Sequence, residues 1–139
     1  MTNEQLIELA KEARKKAIVD ISNFKVGAAL LEKSGKVITG CNIEDPSGIG
    51  ITNICAERCA IVKALSEGYR EFIKIAVVGG DAGEDGEKEE LIFCAPCGAC
   101  RQYLNSWCPQ LKVVLLDEKG KIKEYGMNEL LPYSFNEKF

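Results

Sequence analysis

The 139-residue chain contains no histidine. Any metal it holds and any proton it moves must therefore be handled without imidazole, the commonest side chain for both tasks. Positive charge is not in excess either: 18 Lys and Arg face 21 Asp and Glu, for a net charge of -3 and a pI near 5.2. Neutralising a phosphate backbone needs a basic stripe, so a nucleic acid partner is disfavoured. No apolar run approaches the roughly 20 residues of a membrane span. The start Met1-Thr2-Asn3-Glu4-Gln5 has no charged-then-apolar leader pattern, so a cytoplasmic protein with no membrane association is expected. No linker or internal repeat interrupts the sequence. Its length and 46% hydrophobic content fit one domain spanning 1–139.

What the chain does have is seven cysteines, an odd number. In a reducing compartment a disulfide framework explains them poorly, which leaves metal binding and core packing to share them.

Thr2-x-x-Gln5 has the form of a capping box, and Leu6, Leu9, Ala10, Ala13 and Ala17 recur at helical spacing, predicting a first amphipathic helix. The runs Val26 to Leu31 and Lys36 to Ile43, joined by Glu32-Lys33-Ser34-Gly35, read as a hairpin. Pro46, Gly48 and Gly50 mark Asp45 to Asn53 as a loop delivering Cys55 to a helix that runs to about Glu67, with Gly68 as its stop. Phe72 to Val78 is a third strand. The acidic run from Asp81 to Glu90 reads as a solvated loop. Pro96 suits the first turn of a helix reaching about Trp107. Lys112 to Leu116 and Lys121 to Tyr125 are two further strands, and a short helical turn over Asn128 to Leu131 stops at Pro132. The order αββαβαββ, with strands apolar enough to need cover on both faces, predicts a three-layer α/β/α sandwich with a five-stranded mixed sheet.

Two short runs carry the chemistry: Cys55-Ala56-Glu57-Arg58 and Pro96-Cys97-Gly98-Ala99-Cys100-Arg101-Gln102. Both lie at predicted helix starts, where unpaired N–H groups and the helix dipole favour thiolates. Cys55, Cys97 and Cys100 can hold Zn²⁺ and leave its fourth position open, the mark of a catalytic rather than a structural site. Three thiolates leave the site with a net negative charge, which Arg58 and Arg101 are placed to offset by donating to sulfur. Glu57, two residues from a ligand, is the candidate proton carrier. Taken alone, Cys97-x-x-Cys100 is also compatible with a redox pair or half a structural site, and Cys59, one turn after Cys55, with a closed four-cysteine site. Cys94 is a possible substitute ligand; Cys41 and Cys108 are given no role. A ligand two residues before a non-ligand glutamate, followed by Pro-Cys-x-x-Cys, is the signature of zinc deaminases.

With these runs, Phe24-Lys25-Val26-Gly27-Ala28-Ala29-Leu30-Leu31, Gly40-Cys41-Asn42-Ile43-Glu44 and Leu130-Leu131-Pro132, the sequence resembles the small three-cysteine cytidine deaminases from its first helix to Phe135. The resemblance implies zinc-dependent conversion of cytidine and deoxycytidine to uridine and deoxyuridine in nucleoside salvage. By the same resemblance, Asn42 and Glu44 hold the ribose hydroxyls, Phe24 packs near the nucleoside, and the Ala56 N–H binds the pyrimidine carbonyl. Phe135 stacks on the base from a neighbouring subunit, which implies a homotetramer with shared sites. Without the resemblance, Asn42 and Glu44 read equally as strand-end polar groups and Phe135 as core closure. Family members carry a tyrosine-containing stretch where this chain has Asp45 to Ile54, with no aromatic residue. That difference admits another amino-bearing ring as substrate, such as a blasticidin-type nucleoside or an aminated purine. A non-enzymatic module with a structural zinc is the remaining alternative.

Overall fold

The computed structural model describes residues 1–82 and 91–136. Most of the acidic run, expected to be a solvated loop, lies outside the described residues. Helix α1 (Asn3–Arg14) starts with the anticipated capping box, Thr2 Oγ1 accepting from Gln5 N while Gln5 Oε1 accepts from Thr2 N. It is followed by strands β1 (Phe24–Glu32) and β2 (Val37–Cys41), helix α2 (Ala56–Ser66) and strand β3 (Phe72–Asp81). Helix α3 (Gly98–Trp107), strands β4 (Lys112–Leu116) and β5 (Ile122–Gly126) and a last turn, α4 (Met127–Leu130), complete the order. The sheet runs β2-β1-β3-β4-β5. Among the described strands only β3 and β4 pair in parallel, and α3 supplies the crossover that a parallel pair needs.

Alternation along the strands sorts their side chains onto two faces. Ala29, Leu31, Ala76, Val78, Val114 and Leu116 pack with Leu6, Ile7 and Ala10 of α1. Ala28, Leu30, Ile75, Val77, Val113 and Leu115 pack with Ala60 and Ile61 of α2 and Leu104 of α3. The molecule is thus the expected three-layer α/β/α sandwich with a five-stranded mixed sheet. Each fully buried Leu, Ile or Val contributes about 1.5–3 kcal/mol, so both layers are needed to hold the sheet.

Two glycines let the layers close up. A methyl group on Gly27 would lie 2.1 Å from Ala10 O, and one on Gly40 would lie 2.5 Å from Ala56 O and 2.6 Å from Ala60 N. Helix α1 therefore rests backbone to backbone on β1, and α2 on β2. The buried Arg14, 1% exposed, fastens α1 to the far ends of β1 and β3, with Nε donating to Lys25 O and Nη2 to Gly80 O.

Several boundaries differ from expectation. β1 begins at Phe24 and β3 reaches Asp81, because Phe24 to Gly27 pair with Val78 to Asp81. The added residues, Phe24-Lys25 and Gly79-Gly80-Asp81, carry no apolar alternation to read. β2 stops at Cys41, and Ile43 makes isolated bridges with Ile18 and Ile54 instead. Pro96 is not in the first turn of α3: Cys97, at φ -66° and ψ 167°, is its extended N-cap, so the helix begins at Gly98.

Candidate active site

Cys55 is the N-cap of α2 and Cys97 the N-cap of α3, with Cys100 in the first turn of α3. Both helices thus present their positive ends to one point, where thiolates are favoured. The three Sγ atoms lie within 4.8 Å of one another, and Cys55 and Cys97 are 3.7 Å apart. Sulfurs about 2.3 Å from a tetrahedral zinc stand about 3.8 Å from each other, so the donor set fits the ion. Cys59 is outside the cluster, with its Cβ against Gly40. Cys94 packs over Gly79. Neither provides a fourth sulfur, and among the described residues no fourth ligand joins the three cysteines.

The two arginines differ. Arg58 Nη2 lies 3.4 Å from Cys55 Sγ and 3.4 Å from Asn53 O, while its buried Nε has no hydrogen-bond partner. Arg101 was expected to donate to a thiolate and does not. Its Nε donates to Pro96 O at 2.7 Å and its Nη1 to Leu130 O at 2.8 Å, because it leaves α3 on the side facing the Pro96 turn and α4. It steadies the segment entering Cys97 without touching sulfur.

The residues expected to bind substrate are tied to the cysteines by backbone bridges. Ile43 N donates to Ile54 O and Ile54 N to Ile43 O, both at 2.9 Å, so Asn42 and Glu44 flank the strand fragment that precedes Cys55. On the other side Ile92 N donates to Gly79 O, bringing the chain ahead of Cys97 onto the end of β3. A methyl group on Gly79 would lie 3.2 Å from Phe24 Cε1 and 2.6 Å from Cys94 Sγ, so that glycine makes room for both. Asn42 Oδ1 accepts from Val26 N at 2.8 Å, and its Nδ2 donates to Phe24 O at 2.9 Å. One amide hydrogen and one lone pair remain for another partner. Glu44 Oε1 accepts from Ile21 N and Ser22 N. Ala56 is the first residue of α2, and its N–H has no partner within the helix. Phe135 is apart from this group and does not close the core: it is 57% exposed, on the segment after α4.

A model of the cytidine and deoxycytidylate deaminase zinc-binding region matches residues 1–116. The chain belongs to this family. It is 47% identical over 136 residues to a cytidine deaminase of Halalkalibacterium halodurans, covering 97% of this chain and 95% of the relative. It is 30% identical over 135 residues to a blasticidin-S deaminase of Bacillus cereus, covering 96% and 94%. The solved cytidine deaminase of Burkholderia pseudomallei superposes with a TM-score of 0.83 at 46% identity, covering 97% of this chain and all of that one.

The electrostatics of the site follow from burial and from the charges around it. Glu57, 4% exposed, is pushed up to about 7 by burial and then by the charge of Cys55. A carboxyl group poised near neutrality can both accept and return a proton. The Cys55 thiol is pulled down to about 5, first by its hydrogen bond with Cys100 and then by Arg58 and Cys97. Cys94, away from the cluster, is pushed up to about 12 by burial and stays a thiol. Sequence reasoning missed the positioning roles of Gly40 and Gly79, although a glycine inside a strand is a readable sign of close approach.

Proposed function

We propose that the protein hydrolyses the amino group of cytidine and deoxycytidine, adding water at the amino-bearing ring carbon and releasing ammonia, to give uridine and deoxyuridine for nucleoside salvage. Cys55, Cys97 and Cys100 would hold zinc, which would supply the Lewis acidity that makes water nucleophilic near neutral pH. Glu57 takes a proton from the attacking water and gives it to the ring nitrogen. It then carries the remaining hydroxyl proton to the amino group, which departs as ammonia, and Glu57 returns to its starting state. Arg58 offsets the charge of the thiolates through Cys55. Asn42, with its remaining hydrogen and lone pair, and Glu44 hold the ribose hydroxyls; Phe24 borders the nucleoside, and the Ala56 N–H takes the pyrimidine carbonyl. Phe135 stacks on the base bound by a second copy in a homotetramer with shared sites, each chain a single domain over 1–139 in the cytoplasm.

The observation that carries this reading is the buried Glu57 carboxyl on the first turn of α2, beside a three-sulfur cluster. Zinc-loaded protein should convert cytidine and deoxycytidine with one ammonia released per base. A panel in which both nucleosides remain intact overturns the reading. A blasticidin-type substrate is the second reading, favoured by the B. cereus relative and by the aromatic-free loop 45–54. Ammonia release from that nucleoside alone would select it.

A further inference from the structure

Three polar side chains of α3 grip the C-terminal part of the chain, one at the end of α4 and two on the segment that follows it. Arg101 Nη1 donates to Leu130 O at 2.8 Å, and Gln102 Nε2 donates to Phe135 O at 2.9 Å. Asn105 Nδ2 donates to both Ser134 Oγ at 3.0 Å and Asn136 Oδ1 at 2.9 Å. The Ser134 hydroxyl in turn donates to Asn136 Oδ1 at 3.2 Å, closing a ring of three groups. Asn105 is itself 6% exposed. Buried amides are tolerated only when paired, so this ring has one low-energy arrangement and the segment 134–136 is held in it.

The aromatic residues of the held segment are nevertheless outside. Tyr133 is fully exposed at φ 55°, a left-handed conformation that bulky residues rarely adopt, and Phe135 is 57% exposed. A segment serving only to close the core would bury its rings. Here the tail is fastened to the buried Asn105 amide through Ser134 and Asn136, and the rings are outside. Cys97 caps helix α3 and Cys100 lies in its first turn, about 8 Å of helix before Asn105. One rigid element therefore sets both the metal ligands and the position of Phe135.

We propose that Asn105 is a positioning residue for the deamination, fixing the Phe135 ring for the nucleoside bound by a second copy of the chain. The inference rests on the reading of Phe135 given under the proposed function. Asn105 touches neither zinc nor substrate and acts only through the tail.

The test is a double-mutant cycle on zinc-loaded enzyme with cytidine, using Asn105→Ala, Phe135→Ala, the pair, and Ser134→Ala. Ser134→Ala breaks the same ring from the tail, leaves α3 unaltered, and keeps the test valid if Asn105→Ala folds poorly. Phe135→Ala should raise KM about tenfold, the scale of one lost base–aromatic stack. Asn105→Ala should raise KM in the same direction with kcat within about twofold and zinc content intact, since the chemistry is untouched. Ser134→Ala should raise it less. In the Phe135→Ala background, Asn105→Ala should have no further effect. Additive losses, or a fall in kcat at unchanged KM, would mean that Asn105 serves the fold or the metal, and the proposal is wrong. If Phe135→Ala raises KM while Asn105→Ala and Ser134→Ala do not, the clamp alone fails. If Phe135→Ala leaves KM unchanged, the reading of Phe135 fails and the clamp falls with it.

Discussion

Replacing Gly40 with alanine puts a methyl carbon 2.5 Å from Ala56 O, 2.6 Å from Ala60 N and 3.0 Å from Cys59 Cβ, where 3.4 Å or more is ordinary contact. Two of those atoms are α2 backbone and cannot rotate away, so the start of the helix must back off from β2 by about 1 Å. The strain expected of such overpacking is about 1–3 kcal/mol. The catalytic cost comes in addition to that strain, because Cys55 caps α2 and Glu57 rides on its first turn. A misplacement of about 1 Å is worth about 100-fold in rate, or about 2.7 kcal/mol of barrier.

Gly27 is the control. Its added methyl would meet Ala10 O at 2.1 Å and Arg14 N at 2.5 Å, a harder clash, but on the face of the sheet that carries α1 and no metal ligand. Gly27→Ala should therefore lose more thermal stability than Gly40→Ala, yet keep kcat per folded, zinc-loaded chain within about twofold. Gly40→Ala should keep more of its Tm and lose about 100-fold in kcat. Melting curves, zinc content per chain and steady-state turnover on cytidine measure all three quantities. If the two variants lose turnover equally, or if Gly40→Ala turns over normally at full zinc content, the close approach of α2 to β2 does not set the site.

Glu57→Gln should retain zinc and fold while turnover falls about 100- to 10,000-fold, the contribution of a positioned proton carrier; unchanged turnover would remove Glu57 from the mechanism. Arg58→Ala should weaken zinc about 10- to 100-fold in chelator competition. Arg101→Ala, which touches no sulfur, should weaken it less, and equal losses would contradict the geometry. Asp45, whose carboxyl is held below its ordinary value of 3.8 first by the Thr52 hydroxyl and then by Ser47 N, should support loop 45–54 above that value. The support is lost as pH falls through the depressed value, so the Tm deficit of Asp45→Asn at pH 7 should shrink progressively as the pH is taken below 3.8. Cys94 and Cys108, both pushed up to about 12 by burial, should resist alkylation at pH 8 after zinc is stripped, whereas Cys55 should react; mass spectrometry of the labelled peptides decides.

The metal centre was legible because it depends on short-range geometry. Cys55 two residues before Glu57, and Cys97 three before Cys100, are spacings that helix starts convert directly into positions. The layers were legible from strands apolar on both faces. Arg101 was misjudged because adjacency to Cys100 in sequence says nothing of which way a side chain leaves the helix. That direction is set by the carbonyls of Pro96 and Leu130, one of them 29 residues away.

By itself, then, the sequence determined the three-cysteine donor set and the sandwich, both consequences of local periodicity, helix ends and thiolate chemistry. Tertiary structure alone decided how the parts register. It seats α2 on Gly40, brings Phe24 and Cys94 together over Gly79, and fastens the Phe135 segment to α3 through Asn105. These are contacts between residues distant along the chain, in which close packing and the pairing of buried polar groups select one arrangement, and no local pattern encodes them.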